Sequence, residues 1–402
     1  MKRGADFTGH ILSYVRRKKR ALLVSLFNAL LLTVLVYYLN NQPLFTGENL
    51  EKFTWIQWLK DKVANNDNDP GDDKTFYVNV SYDKQLVPYT DDSGFEVGTI
   101  PVTDREKLIR FLQQLKETAK YKYLFLDISF ERSTVTPADS ALFSLLKVMP
   151  NTVIATYHGL DQAPGVPKEK TALSQYYSTI VATNFVRYKY SFDGLPSIPL
   201  YAYNELTGKS IEDHKLFYSS DGSLCHNSLF IDFPSKGFTM LDDDGNQNYY
   251  NLGADILDVM DSEDIIRLTE GKYVIIGDFV NDVHDTYVGK LPGAVITYRA
   301  FDALMHEKHL VSIPLLLIFA FVYFLISMSL FSRKSLLSYL PFISNSKSKA
   351  LHFIVSLIEF TLLLSMITIV MGIFFNIYAS ILIPSVYFTV LKTIINYKRH
   401  KI

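Results

Sequence analysis

Cysteine is almost absent. Cys225 is the only one among 402 residues, so no disulfide can form within the chain, and an exported region would have to be held by its core. At about 270 residues such a region is large enough for that. Cys225 precedes His226, but adjacency in sequence does not make a thiol–imidazole pair in space, and no catalytic role is expected of it. The familiar signatures of catalysis and phosphate binding are missing as well. There is no Gly-x-Ser-x-Gly, no His-Glu-x-x-His and no Gly-x-x-x-x-Gly-Lys-[Ser/Thr]. The chain is not expected to be an enzyme, and no cofactor or resident metal is assigned to it. No internal repeat is visible. Acidic residues are nearly lacking at both ends: 39 of 41 lie between positions 40 and 310, with Asp6 and Glu359 the exceptions.

Four apolar runs are present, at 21–39, 311–331, 351–375 and 376–395. Each is long enough to cross a hydrocarbon core of roughly 30 Å at about 1.5 Å per residue. The segments between them set an orientation. The tail 1–20 carries Lys2, Arg3, Arg16, Arg17, Lys18, Lys19 and Arg20 against one acid. The loop 332–350 carries Arg333, Lys334, Lys347 and Lys349 and no acid, and Lys398, Arg399 and Lys401 fall in the tail 396–402. Four crossings put all three on one side, which the positive-inside rule makes cytoplasmic. The expectation is a multi-pass cell-membrane protein (inner membrane in a Gram-negative cell) with both termini cytoplasmic and residues 40–310 extracytoplasmic. The first run is read as a retained span, since Leu39-Asn40-Asn41-Gln42 offers no small-residue cleavage site. Residues 40–310 hold 39 acids against 25 basic residues, a net charge of −14. That balance disfavours nucleic acid and anionic lipid as partners and permits cations or basic ligands.

Residues 40–72 read as a juxtamembrane helix and linker. Positions 49–63 have helical spacing with Trp55 and Trp58, and 65–73 is a loop whose aspartates lack the EF-hand spacing of Gly and Glu. From 73 to 310 strand and helix patterns alternate. Strands are expected at 76–80, 123–128, 152–156, 179–185, 224–233 and 272–277. Helices are expected at 103–118 (with Thr103 and Glu106 as a capping box), 137–148, 195–206, 252–260 and 293–307. Short apolar strands separated by helices predict an α/β domain with a mostly parallel sheet covered on both faces, alongside four transmembrane helices, one N-terminal and three C-terminal.

Three stretches carry a resemblance. Asp127-Ile128-Ser129-Phe130 closes an apolar run. Gly271-Lys272-Tyr273-Val274-Ile275-Ile276-Gly277 is followed by Asp285 and by Leu291-Pro292-Gly293-Ala294-Val295. Ala300-Phe301-Asp302-Ala303-Leu304 lies in the closing helix. Their order, together with one span in front and three behind, resembles the CHASE2 sensory domain of bacterial signalling proteins over nearly the full length. The Trp-Pro-x-Pro-Arg element frequent in that family is reduced to Pro101-Val102-Thr103-Asp104-Arg105. Family members often continue into a kinase or cyclase, whereas this chain stops seven residues after the last run. The resemblance implies extracytoplasmic sensing, with the signal passed to a separate signalling or membrane protein.

The densest polar constellation follows the strand at 272–277: Asp278, Asn281, Asp282, His284 and Asp285. Ligands of open α/β sheets bind beyond the carboxyl ends of strands. Asp127, Glu131 and Arg132 end another strand, and Asp127, Asp278 and Asp285 are expected to converge. Two readings stay open: contact with a small polar ligand or cation, or capping of loops and helix ends. In the run 351–375 Glu359 lies near mid-membrane, where a carboxylate costs on the order of 3 kcal/mol unless neutral or partnered. His352 and Ser356 share its helix face, and Ser327 or Ser329 could approach, so coupling and simple packing are both open. The sequence thus suggests a membrane-embedded sensor or receptor subunit for an unknown ligand or protein. The competing reading is a non-sensory scaffold or assembly subunit. Homodimerisation through the middle domain is left open, and a transporter is disfavoured by the single intramembrane acid.

Overall fold

The continuous apolar runs become strands buried on both faces. The computed structural model describes residues 4–40, 74–90, 95–118, 120–175, 187–215, 217–226, 228–231, 248–332, 349–375 and 382–400. The chain divides into two compact units, Leu50–Leu310 and Met1–Asn49 with Val311–Ile402. Helix α1 (Gly4–Asn40) belongs to the second of these.

The unit Leu50–Leu310 begins its described part with β1 (Thr75–Asn79), followed by the antiparallel hairpin β2 (Lys84–Thr90) and β3 (Glu96–Thr103). Then come α2 (Arg105–Thr118), β4 (Tyr123–Leu126), α3 (Asp139–Val148), β5 (Thr152–Thr156), β6 (Thr171–Leu173) and α4 (Ile198–Thr207). The unit closes with β7 (Tyr250–Asn251), α5 (Ser262–Thr269), β8 (Tyr273–Gly277), the hairpin β9 (Val283–Thr286) and β10 (Gly289–Pro292), and α6 (Gly293–Met305). Six strands form one parallel sheet in the order β7-β1-β8-β4-β5-β6. Every residue of β1, β4, β5 and β8 is buried, which is why their sequences show no alternation.

Strand geometry still assigns alternate residues to opposite faces. Phe76 and Val78 of β1, Val274 and Ile276 of β8, and Leu124 and Leu126 of β4 form one layer. They pack on Leu108, Phe111, Leu112 and Leu115 of α2, Leu142 and Leu146 of α3, and Ile265 of α5. The other face is aromatic: Tyr77, Phe125 and Tyr273 meet Tyr298 and Phe301 of α6 at centroid separations of 5.1–6.3 Å. Gly277 ends β8 because nothing larger fits. A Cβ there would stand 2.6 Å from Ala294 Cβ.

Several expectations need correction. The capping box at Thr103 and Glu106 is not used. Asp104 Oδ1 accepts the N–H groups of Glu106 and Lys107 at 3.0 and 3.1 Å, so α2 begins at Arg105 and Thr103 remains in β3. The strand expected at 224–233 is broken. Ser223–Cys225 joins a meander with Tyr218–Ser220 and Glu212–Asp213, and Leu229–Phe230 pairs with Arg187–Tyr188. The helix expected at 252–260 is a wider π-type turn, Leu252–Leu257. The helix expected at 195–206 starts at Ile198, because Leu195–Pro196 is paired with Ser191–Phe192. The expected elements at 49–63, 65–73 and 179–185 lie outside the described residues.

The other unit holds α1, α7 (Ile313–Ser332), α8 (Lys349–Phe375) and α9 (Leu382–His400). Two segments, Lys19–Tyr38 and Ile313–Leu330, are long and apolar enough to cross a membrane, and α8 and α9 carry shorter apolar stretches, Phe360–Ile369 and Ile383–Ile395, among the described residues. Leu32, Leu315, Phe319, Tyr323, Phe360 and Phe388 form its core. Asn28 Nδ2 donates to Ser327 Oγ at 3.3 Å and Tyr387 Oη donates to Asn28 Oδ1 at 3.0 Å. Phe27, Val34, Leu317, Phe321, Leu362 and Met366 are exposed on the outside.

Candidate ligand site

The carboxyl ends of β1, β8, β4 and β5 point the same way, and the residues that follow them enclose a cavity of about 360 Å³. Val80 follows β1, Asp278 and Asp282 follow β8, Asp127 to Ser129 and Glu131 follow β4, and Tyr157 follows β5. Lys84, Ile100 to Thr103 and Arg105 close it from the hairpin β2–β3 and the start of α2. A crevice at strand ends beside a break in strand order is where open α/β sheets bind ligands. Here the break is the insertion of β8 between β1 and β4.

Asp127 is the most perturbed group in it. Strand alternation sends it to the α6 face. Its Oδ1 accepts from Ser174 Oγ at 2.9 Å, while Oδ2 has neither a partner nor contact with solvent. Burial, and then repulsion from Asp282, push its pKa up to about 7, against the opposing effects of Ser174 and His284. Burial and the same carboxylates also raise the Tyr157 phenol.

Asp282 and His284 form a pair, with Nε2 2.9 Å from Oδ1. The hydrogen bond to Asp282 raises the imidazole pKa; burial opposes it, and the charges of Asp282, Asp127 and Asp285 reinforce it. The Asp282 carbonyl accepts the Gly293 N–H at 2.8 Å. A Cβ at Gly293 would lie 2.4 Å from Asp282 Oδ2 and 3.3 Å from His284 Nε2, so glycine lets the first turn of α6 close against the pair. The positive end of the helix dipole favours a carboxylate there.

Asp278 plays a different part. It accepts from Ser81 Oγ, from Lys84 Nζ at 3.1 Å, from the Asn281 N–H at 2.8 Å and from Asn281 Nδ2. Burial works against its charge, but these donors outweigh burial and hold it below the usual carboxylate range. Asp278 therefore fastens the loop after β8 to the turn after β1 and to β2, the capping role left open by the sequence.

The expected convergence of Asp127, Asp278 and Asp285 holds for the first two. Asp285 is exposed on β9 opposite Lys290, because one step along a strand turns it away from the face of His284. Arg132 opens a 3₁₀ turn, is exposed, and lies 3.5 Å from Asp161. Glu131 lines the cavity and is partly buried. Among the described residues no cluster of His, Cys, Asp and Glu is arranged to hold a metal. Cys225 is buried away from this set, and burial pushes its thiol up to about 12. Glu359, His352 and Ser356 fall in α8, and their side chains lie outside the described residues. Ser327 is bonded to Asn28, and Ser329 Oγ donates to the Ile326 carbonyl at 2.8 Å.

Sequence reasoning missed Arg105, Lys84, Tyr157 and Ser174. Arg105 is 2% exposed, its Nε lies 3.2 Å from Asp139 Oδ1, and its guanidinium sits 4.5 Å above the Phe130 ring. The available signal was its place directly after the capping Asp104, where a charged residue starts a helix at a strand end. No family model, curated protein or solved structure matches the chain. Function therefore has to be argued from this geometry.

Proposed function

We propose that the chain is a membrane-anchored extracytoplasmic sensor of the CHASE2 kind, whose α/β domain binds a small ligand at the carboxyl ends of its sheet and signals through its transmembrane helices to a separate protein. The observation that carries this reading is Asp127, a carboxylate kept at the wall of a cavity with one oxygen sealed from water and unpaired. A group in that condition opposes folding, and functional sites are where such groups are retained. Two segments long and apolar enough to cross a membrane, Lys19–Tyr38 and Ile313–Leu330, support the anchoring, and the basic residues of 1–20, 332–350 and 396–402 fit a cytoplasmic side under a four-span topology. The bundle's outward apolar side chains, which water would oppose, support it too.

The test is thermal unfolding of the full-length protein in detergent against a library of small polar molecules. A compound that raises the melting temperature of wild type and not of Asp127→Asn supports the reading. A library without effect opposes it. Orientation is tested by Asp193→Cys and Lys19→Cys with a membrane-impermeant thiol reagent on intact cells. The first should label and the second should not, and the reverse pattern sinks the proposal.

A scaffold is the second reading, and one observation favours it. Tyr82, Leu86, Phe95 and Val97, on and beside the hairpin β2–β3, are each more than half exposed, at 69%, 70%, 71% and 58%. An apolar patch of this kind suits a protein contact. Crosslinking from Leu86 to a co-purifying extracytoplasmic protein, with no small-molecule response, would favour it.

A further inference from the structure

The unit Leu50–Leu310 ends on a seam crowded with basic side chains. Beyond α6 the chain reverses at Glu307, whose φ of 56° is left-handed, and His309–Leu310 runs back along Cys225–His226. Leu310 bridges Cys225, and the His226 N–H donates to the His309 carbonyl at 2.9 Å. His309 is 1% exposed, its ring set edge-on to Tyr203 of α4 at 5.4 Å. Neither ring nitrogen has a hydrogen-bond partner among the described residues. A neutral imidazole carries one donor and one acceptor, so burying it unanswered costs stability that a phenyl ring would not.

The groups facing this ring are ill suited to a second proton on it. From the strand side come His226 and Arg187, the latter buried and donating from Nη1 to Ser228 Oγ at 3.2 Å. From the helix side come Glu307 and Lys209, which lie 3.0 Å apart and offset each other. Burial first, then Arg187 and His309, push the His226 pKa down to about 3. Burial likewise lowers His309 to about 4, with Glu307 opposing it and Lys209 adding to it.

We propose that this seam is an acid-operated latch: protonation of His309 and His226 releases His309–Leu310 from Cys225–His226. Val311, the next residue, opens the other unit, so release frees the chain directly ahead of α7. An opened seam takes up a proton on His309 at the ordinary 6.5 and the closed one only near 4, so acid favours the open form across that interval. For His309 alone the open-to-closed ratio rises about 100-fold from pH 7 to pH 4. Asp127 responds in the opposite sense, since acid neutralises a carboxylate that burial opposes, so the two effects are separable. External acid as the trigger rests on the extracytoplasmic placement proposed above; the latch itself does not.

Cys225, fully buried in the closed seam and the only cysteine of the chain, reports the opening. The full-length protein in detergent is labelled with dithiodipyridine, which still reacts with thiols in mild acid. Each rate is divided by that of the same protein unfolded in urea, and far-UV circular dichroism at each pH records whether the fold survives. The expected result is labelling that accelerates by about 100-fold or more between pH 7 and pH 4 while the dichroism is unchanged. His309→Phe, which keeps a ring against Tyr203, should slow labelling at pH 4 by about the same factor, and His309→Leu serves if the first variant does not fold. A wild-type thiol that stays protected until the dichroism collapses overturns the latch. So does a folded His309 variant that labels as fast as wild type at pH 4. If neither variant folds, the wild-type profile alone decides.

Discussion

Replacing Asp127 with Asn should make this protein more stable at alkaline pH and leave it nearly unchanged in acid. Burial raises the Asp127 pKa from the ordinary 3.8 to about 7. A carboxyl that keeps its proton longer when folded than when unfolded weakens folding as pH rises. The sign follows from proton counting: between about pH 4 and 7 the folded state holds the proton that the unfolded chain has released. The penalty grows through that window and is constant above it. A shift of about three units at about 1.36 kcal/mol each gives about 4 kcal/mol at pH 8. Asn stays neutral, keeps an acceptor for Ser174 and presents a donor in place of Oδ2, much as the protonated acid does. The groups facing Asp127 are Asp282 and His284 from the segment after β8, Tyr157 after β5, Ser174 after β6 and Tyr188. Of these His284 has its own pKa raised above the ordinary 6.5, by Asp282 first, and it is present in both proteins.

Chemical denaturation of the detergent-solubilised protein, followed by circular dichroism, should show wild type and Asp127→Asn within about 1 kcal/mol at pH 4 and separated by several kcal/mol at pH 8, Asn being the more stable. A variant less stable than wild type at pH 8, or a gap that does not change with pH, would refute the reasoning. The same substitution is expected to abolish ligand response, so stability gained with function lost is the combined signature.

Four further outcomes are expected. Gly277→Ala forces its Cβ to 2.6 Å from Ala294 Cβ and should destabilise the domain by about 1–3 kcal/mol in urea melts, partly recovered by adding Ala294→Gly. Asp139→Ala strands the Arg105 guanidinium, 2% exposed, and removes the acceptor for the Thr136 N–H and hydroxyl; a loss of about 3–5 kcal/mol is expected for a broken buried ion pair. Asp282→Asn takes away the main support for the His284 imidazolium. That support is present below the ordinary pKa of 6.5 and fades as pH rises through the raised one, so the His284 resonance should titrate at lower pH in the variant by NMR. Asn28→Leu deletes the donor to Ser327 and the acceptor for Tyr387, and detergent-denaturation curves should show a loss of about 0.6–2 kcal/mol.

The sheet was legible where burial is complete. The strands at 75–79, 123–126, 152–156 and 273–277 are apolar on both faces and have few other conformations open to them. The hairpin β2–β3 was not legible. Pro88, Pro101 and Gly98 interrupt it, and five of its eight β3 residues are exposed, so neither composition nor alternation marks a strand. Helix α5 is eight residues long and too short for a clear period, although Asp261, which accepts the Asp264 N–H at 2.9 Å, was a readable start signal. Among the site residues, Asp127, Glu131, Asp278 and Asp282 were found because acids at strand ends stand out. Arg105 and Ser174 were missed because their roles depend on which strand ends are neighbours. That neighbourhood is fixed by β8 passing between β1 and β4, a crossover with no local signal.

Two glycines set how closely α6 approaches the sheet and the cavity at its end. Gly277 and Gly293 are the two places where a side chain would keep α6 away from the sheet or from the Asp282–His284 pair. With both absent, the first turn of α6 closes on the Asp282 backbone carbonyl through the Gly293 N–H. Its middle is held by Tyr298 and Phe301 against Tyr77, Phe125 and Tyr273. Ligand binding can change the position of this helix only to the extent that the two positions differ in affinity, and the contact between Asp282 and Gly293 is where such a difference would arise. The helix ends at Met305, a few residues before the domain boundary at Leu310. Along the chain it is thus the last regular element before the apolar run that begins at Val311.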